Sequence, residues 1–341
     1  MFSQQSILKK NNIKWIILFL LLFITFFSSL FMGRYTISPE NTFIVLINAL
    51  QGNIAQDMNS SIILGMRLPR TILSMLLGAG LAIAGSTYQG IFRNPLVSPD
   101  VLGVSSGAGF GSVLGILLFG MSATTSLLAF VFGLGSVFLT YLFARARGQT
   151  TMMSLVLSGM IVSAIFAALI SLVKYVADPY DTLPAITYWL MGSFSKATFE
   201  DLRYIFIPLA ASLTVLNLVR WRINILSLGE EESKSLGVNP TRIKFIAIIA
   251  STVLTALSVT VVGIVGWVGL VIPHITRLLF GVDHKVLLPT SCLIGAIFLT
   301  VVDIVSRSVT SAEIPIGIIT ALLGAPFFGF LLKYTNQKGD W

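Results

Sequence analysis

Thr71 to Phe92 reads TILSMLLGAGLAIAGSTYQGIF, a run without a single charge held between Arg70 and Arg93. A helix rises about 1.5 Å per residue, so a run of this length covers the roughly 30 Å hydrocarbon layer of a bilayer. Inside lipid, a lone segment pairs its own N–H and C=O groups only as a helix. Working outward, Trp15 to Met32, Gly148 to Val173, Tyr204 to Val219, Val286 to Val302 and Ile314 to Leu332 each supply one further crossing. Val101 to Ala144 breaks near Gly120, and Phe245 to Thr276 breaks near Gly263 and Gly266, so each of these longer runs supplies two. The sum is about ten transmembrane helices: an all-α, polytopic membrane protein whose 341 residues read as one transmembrane unit.

Composition excludes most other classes. Hydrophobic residues make up 55% and charged ones 11%, where soluble chains carry about a quarter charged. The +8 net charge is scattered singly between apolar runs rather than gathered on one polar face, which argues against nucleic acid as a partner. Cys292 is the only cysteine, so no disulfide or thiolate metal site arises. Lys9, Lys10 and Lys14 ahead of Trp15 imitate a signal peptide, yet the apolar run is too long and lacks an A-x-A-like cleavage site, which makes it a retained first span.

Placing both termini in the cytoplasm puts about fifteen Lys and Arg inside and about seven outside, as the positive-inside rule requires. The outer group is Arg34, Arg67, Arg70, Lys174, Lys196, Arg203 and Arg307; the inner group includes Arg147 and Lys338.

Gly103, Gly107, Gly111 and Gly115 recur every fourth residue and lay a side-chain-free groove along the third span, where another helix can pack closely. Ser98-Pro99-Asp100 is a helix-start signal, with Ser98 as N-cap, so the third span is expected to begin there. Asn94-Pro95 then marks a tight turn at the cytoplasmic mouth. Asn224 to Pro240, NILSLGEEESKSLGVNP, is the one inner loop able to present a folded surface. Ser227 and Glu230 stand at capping-box spacing, Glu230 to Glu232 favour a helix start, and Gly237 with Pro240 ends it. This predicts a short helix that is either a docking element for a soluble protein or a passive connector; three acids facing anionic lipid favour docking. Arg67 and Arg70 flank Pro69 in line with Arg307 at the same end, either as exposed cations inviting an acidic partner or as arginines snorkelling at helix ends. Asp303 is one turn from Arg307, so an i,i+4 ion pair accounts for it, with a proton relay as the other reading. Pro273 should interrupt its helix, and His274 and His284 lack metal-ligand spacing.

No G-x4-G-K-[ST] phosphate loop or H-E-x-x-H occurs, and the spans hold almost no ionisable residues for acid/base chemistry or ion coupling. No catalytic residue and no metal site is assigned. An ion-coupled carrier or intramembrane enzyme is the reading from another class, and it predicts activity from this chain alone.

Four stretches carry a resemblance: RLPRTILSMLLGAGLAIAGSTYQGIFRNPLVSPDVLGVSSGAGFG, SLGEEESKSLGV, GWVGLVIPHITRLLFGVDHKVLLP and EIPIGIITALLGAPFFGFLL. From Ile63 to Leu332, in order and spacing, the chain resembles the permease subunits of the iron-siderophore and cobalamin (FecCD-like) branch of ATP-binding-cassette importers. The resemblance implies the type II importer permease fold with both termini cytoplasmic in the cell membrane. It implies a second permease subunit as homo- or heterodimer, two separate ATPases that use ATP and Mg, an extracytoplasmic substrate-binding protein, and no cofactor on this chain. It also implies residue roles. Ser227, Leu228, Gly229, Glu230, Glu231, Ser233, Leu236 and Gly237 would seat in the ATPase; Arg67, Arg70 and Arg307 would meet glutamates of the binding protein; Asn94, Pro95, Leu96, Thr150 and Thr151 would close a cytoplasmic gate. The implied cargo is an iron(III)-siderophore, with cobalamin or haem as the alternative.

Overall fold

The computed structural model describes residues 2–53, 55–145 and 151–336. Thr150, Arg147 and Lys338 lie outside them. Every regular element among the described residues is a helix. Seven are long and apolar enough to cross a bilayer: α1 (Phe2–Phe31), α4 (Leu68–Phe92, continuing an upstream helical run from Met58), α6 (Ala123–Ala144), α7 (Met152–Val176), α9 (Phe199–Leu228), α11 (Pro240–Val262) and α13 (His284–Ser308). Three further apolar helices, α5 (Val104–Phe119), α12 (Val268–Phe280) and α14 (Ile316–Asn336), stand where the remaining three crossings were expected. Two helices in connecting segments, α2 (Pro39–Leu50) and α8 (Thr182–Leu190), were not expected from the sequence, although Ser38-Pro39-Glu40 caps the first; α3 (Met58–Ser60) and α10 (Glu230–Ser235) are short.

The bundle is organised around α4, which is buried on nearly every face and packs on α13, α11, α12 and α9. Its small residues permit this. A Cβ on Gly78 would collide with the Gly295 carbonyl of α13, and one on Gly85 with the Gly269 carbonyl of α12. Hydroxyl pairs then join the helices: Ser29 to Thr71 (2.7 Å), Ser74 to Thr300 (2.9 Å), Ser86 to Ser291 (2.8 Å) and Tyr88 to Thr252 (3.2 Å). Lipid tails are as apolar as the side chains, so close backbone approach and such polar contacts hold helices together where hydrophobic burial does not. The outward sides of α1, α6, α7 and α9 expose Phe23, Phe138, Ile161 and Ile207, as lipid-facing surfaces do.

Four sequence expectations change. The third span does not begin at Ser98: Ser98 caps a 3-10 turn, Pro99–Leu102, with no side-chain cap bond, and α5 starts only at Val104. Gly103 is therefore the joint, in the left-handed conformation at φ 82° that favours glycine, and its α-carbon faces Val162 and Ser163 of α7. Gly107, Gly111 and Gly115 do line the α5 face against α6, where added Cβ atoms would reach the Phe132 carbonyl (2.6 Å), the Leu128 carbonyl and Thr125 Cα (2.7 Å). Pro273 sits inside a continuous α12; the interruption lies earlier, between Val262 and Val268, where Gly263 and Trp267 take positive φ. Finally, Ser227 is no N-cap. α9 runs on to Leu228, the Ser227 hydroxyl bonds back to the Asn224 carbonyl (2.6 Å), and the chain breaks at Gly229 before α10. A hydroxyl in a continuing helix bonds its own preceding turn, which removes it from capping.

Candidate functional sites at the two ends of the bundle

Residues from distant parts of the chain meet at one end: the close of α1, the start of α4, the end of α13 and the loop into α14. A π-helical turn, Ser61–Arg67, leads into α4 ahead of Pro69, which has no N–H to continue the ordinary ladder. That turn delivers Arg67 and Arg70 into the protein rather than onto its surface. Arg67, Arg70 and Arg307 are only 5%, 8% and 7% exposed, which overturns the expectation of three exposed cations.

Their terminal nitrogens are already engaged. Arg67 Nη1 donates to the carbonyls of Leu30 (2.7 Å) and Phe31 (2.8 Å), and its Nη2 to Tyr35. Arg307 donates to the carbonyls of Met32 (3.0 Å) and Ser29 (2.7 Å) and to the Ser29 hydroxyl (2.6 Å). The last carbonyls of a helix have no partners within it and carry the negative end of its dipole. Together the two arginines thus cap the C-terminus of α1. Arg70 differs, because its partners are acids: Nε to Asp303 (2.8 Å), and Nη1 and Nη2 to the two oxygens of Glu313 (2.8 and 3.0 Å). Asp303 is fully buried and also faces Arg307 Nε at 3.2 Å, where neither atom makes a well-directed hydrogen bond, so that contact is Coulombic. The i,i+4 pair expected from spacing is present, but Arg70, far away in sequence, is the better hydrogen-bonded partner. Three guanidiniums against two carboxylates leave one positive charge in excess.

The other end holds α10 and the turn after α4. The α10 helix is seated by a small core of Ile225, Leu226, Val238 and Ile243, and by the Ser233 hydroxyl bonded to the Ile225 carbonyl (3.0 Å). Gly237, at φ 77°, ends it, and Asn239 caps α11. Leu228, Glu231, Glu232 and Leu236 remain exposed, an apolar and acidic surface without internal partners apart from Glu231 with Lys234. Glu230 pairs with Lys244 of α11, and that bond holds its carboxyl below the ordinary carboxylate range. Asn224, which spacing did not single out, ties this segment to the start of α13: its carbonyl oxygen accepts from the His284 backbone N–H (2.8 Å) and its amide donates to Asp283 (2.6 Å). At the α4 turn, Arg93 is left-handed (φ 50°), the Asn94 side chain accepts from the Leu96 N–H (2.9 Å), and Leu96 is exposed. Thr151 caps α7 in a reciprocal bond pair with Ser154. Val97, next to the Asn94–Leu96 turn, and Leu155, one turn into α7, belong to one apolar cluster.

The sequence profile of the FecCD transport family matches residues 20–334. The chain belongs to the FecCD transport family. It is the multi-pass permease subunit of an ATP-binding-cassette importer. This FecCD permease is 43% identical to the molybdate import system permease protein MolB of Haemophilus influenzae, over 94% of this chain and 95% of that one. It is 37% identical to the Fe(3+)-citrate import system permease protein YfmE of Bacillus subtilis, over 97% of each. Among solved structures it is similar to an inward-facing transporter described as of metal-chelate type, with a TM-score of 0.84 and 42% identity over 94% of this chain and 98% of that one.

Proposed function

We propose that this FecCD permease carries a metal-bearing chelate, an iron(III)-siderophore complex first of all, into the cytoplasm, drawing force from separate ATPases that use ATP and Mg. The likeness to an Fe(3+)-citrate permease carries this reading of the cargo. Both termini would be cytoplasmic, with segment 224–240 as the coupling element of one membrane unit. The exposed Leu228, Leu236, Glu231 and Glu232 support a seat for α10 in an ATPase, and the apolar cluster shared by Val97 and Leu155 supports a gate formed by Asn94–Leu96 and Thr151. Thr150 would join that gate. A second permease subunit would pack on this one; the uncovered Ala164, Ala167, Ala168 and Ser171 of α7 suit close helix contact.

At the opposite end the binding protein would dock. Since Arg67 and Arg307 hold the end of α1, Arg70 is the arginine whose acidic partner can be exchanged, and the excess positive charge there suits an acidic docking residue. The 43% identity to MolB favours a second cargo, molybdate. Uptake separates the two: proteoliposomes holding this permease with its ATPase and binding protein are offered radiolabelled iron-siderophore or molybdate. Accumulation of iron chelate that depends on ATP supports the first reading; accumulation of molybdate alone replaces it with the second.

A further inference from the structure

We propose that Glu313 occupies, from within the chain, the place on Arg70 that a docking partner's carboxylate takes, and that its displacement loosens the entry to α14. This rests on the docking reading above. Arg70 makes two kinds of bond. Its link to Asp303 cannot be given up, because Asp303 is fully buried and a carboxylate stripped of its partners there would be strongly disfavoured. Glu313 is different: its side chain is 31% exposed, sits in the loop after α13, and on leaving Arg70 meets water at once. Both of its oxygens engage the two terminal nitrogens of Arg70, the fork that any incoming carboxylate would reproduce. An exchange of like for like conserves the charge of the cluster and leaves the Arg70–Asp303 bond standing.

The exchange reaches further than the surface. Ile314, next to Glu313, is strapped to α13 by its N–H to the Ser306 carbonyl (3.0 Å) and by the Ser306 hydroxyl to its own carbonyl (2.6 Å). Two residues on, Ile316 begins α14 with its N–H on the Gly192 carbonyl (2.9 Å). Beyond this entry the main packing of α14 among the described residues is on α12 and α13. Thus the Arg70–Glu313 fork is a side-chain tie from α4 to the short loop that starts α14, and a partner that replaces Glu313 releases it.

The test uses the assembled transporter in nanodiscs and its own substrate-binding protein. Glu313→Gln keeps one acceptor oxygen but removes the second bond and the negative charge, so its hold on Arg70 is weaker. Docking should tighten on the order of fivefold, the range expected for a partly exposed ion pair. In the unchanged protein, docking should speed hydrogen exchange at the amides of Ile314 and Ile316. If Arg70→Lys weakens docking while Glu313→Gln leaves it unchanged or weaker, the exchange is wrong and the docking reading stands. If neither substitution alters docking, both fall. A Glu313→Gln chain that does not fold also overturns the proposal, since a displaceable partner cannot be indispensable.

Discussion

Asp303 is the residue on which one end of the bundle turns. Spacing revealed its i,i+4 relation to Arg307, but the fold adds Arg70 from α4, and the carboxylate ends up shared between two buried cations. Asp303→Asn leaves Arg307 facing no carboxylate and Arg70 with Glu313 as its one acid. We expect a loss of about 3 kcal/mol or more in stability, the range for breaking a buried pair from one side, read as a lowered melting temperature of the detergent-solubilised protein. Arg67 was legible as a residue at a helix end, yet its task was not. Nothing in RLPR says that its guanidinium will reach the carbonyls of Leu30 and Phe31, because those lie more than thirty residues away and meet it only through packing. Arg67→Ala should strand these carbonyls at about 1–3 kcal/mol and fray the end of α1, visible as faster hydrogen exchange around Met32.

At the level of elements, glycine spacing foretold the α5 face that meets α6, and the structure removed Gly103 from it. Gly111→Ala would drive a methyl into the Leu128 carbonyl. Overpacking of this kind destabilises by roughly 1–3 kcal/mol, and a thermal melt should show it, whereas Gly135→Ala, with open space around it, should be silent. The glycines of α4 were harder to read, since Gly78 and Gly85 follow no simple repeat and their partners, Gly295 and Gly269, sit in other spans. The seat of α10 is tested by pH. Because the Lys244 bond lowers the Glu230 carboxyl below its ordinary 4.5, its contribution is present above that value and is lost as pH falls through the depressed one. Proteolysis within 229–237 should therefore stay slow near neutrality and accelerate in acid, and Glu230→Gln should flatten that dependence; high salt should weaken it too, for the Glu230 side chain is 56% exposed.

For the molecule as a whole, the prediction is inactivity in isolation. Reconstituted alone, the permease should neither hydrolyse ATP nor accumulate solute against a gradient; either activity would contradict its reading as a subunit driven by others. What was legible at this scale is the solvent. Ten apolar runs broken by glycines and charges located the apolar helices, because a bilayer imposes one length and one backbone solution. The ends of helices were read less well, as at Ser98 and Ser227, since a hydroxyl caps a helix only where the chain actually turns, and neighbours decide that turn.

From the order of its residues alone, then, the chain determined that it spans a membrane, how many times, and that it lacks a phosphate loop, for these depend on local hydropathy and motif. Tertiary structure decided which cations are free. Arg67, Arg70 and Arg307 look alike in sequence, yet two close the end of α1 and one shares acids from α13 and its following loop, because charges in a low-dielectric interior take whatever counter-groups the packing brings within reach.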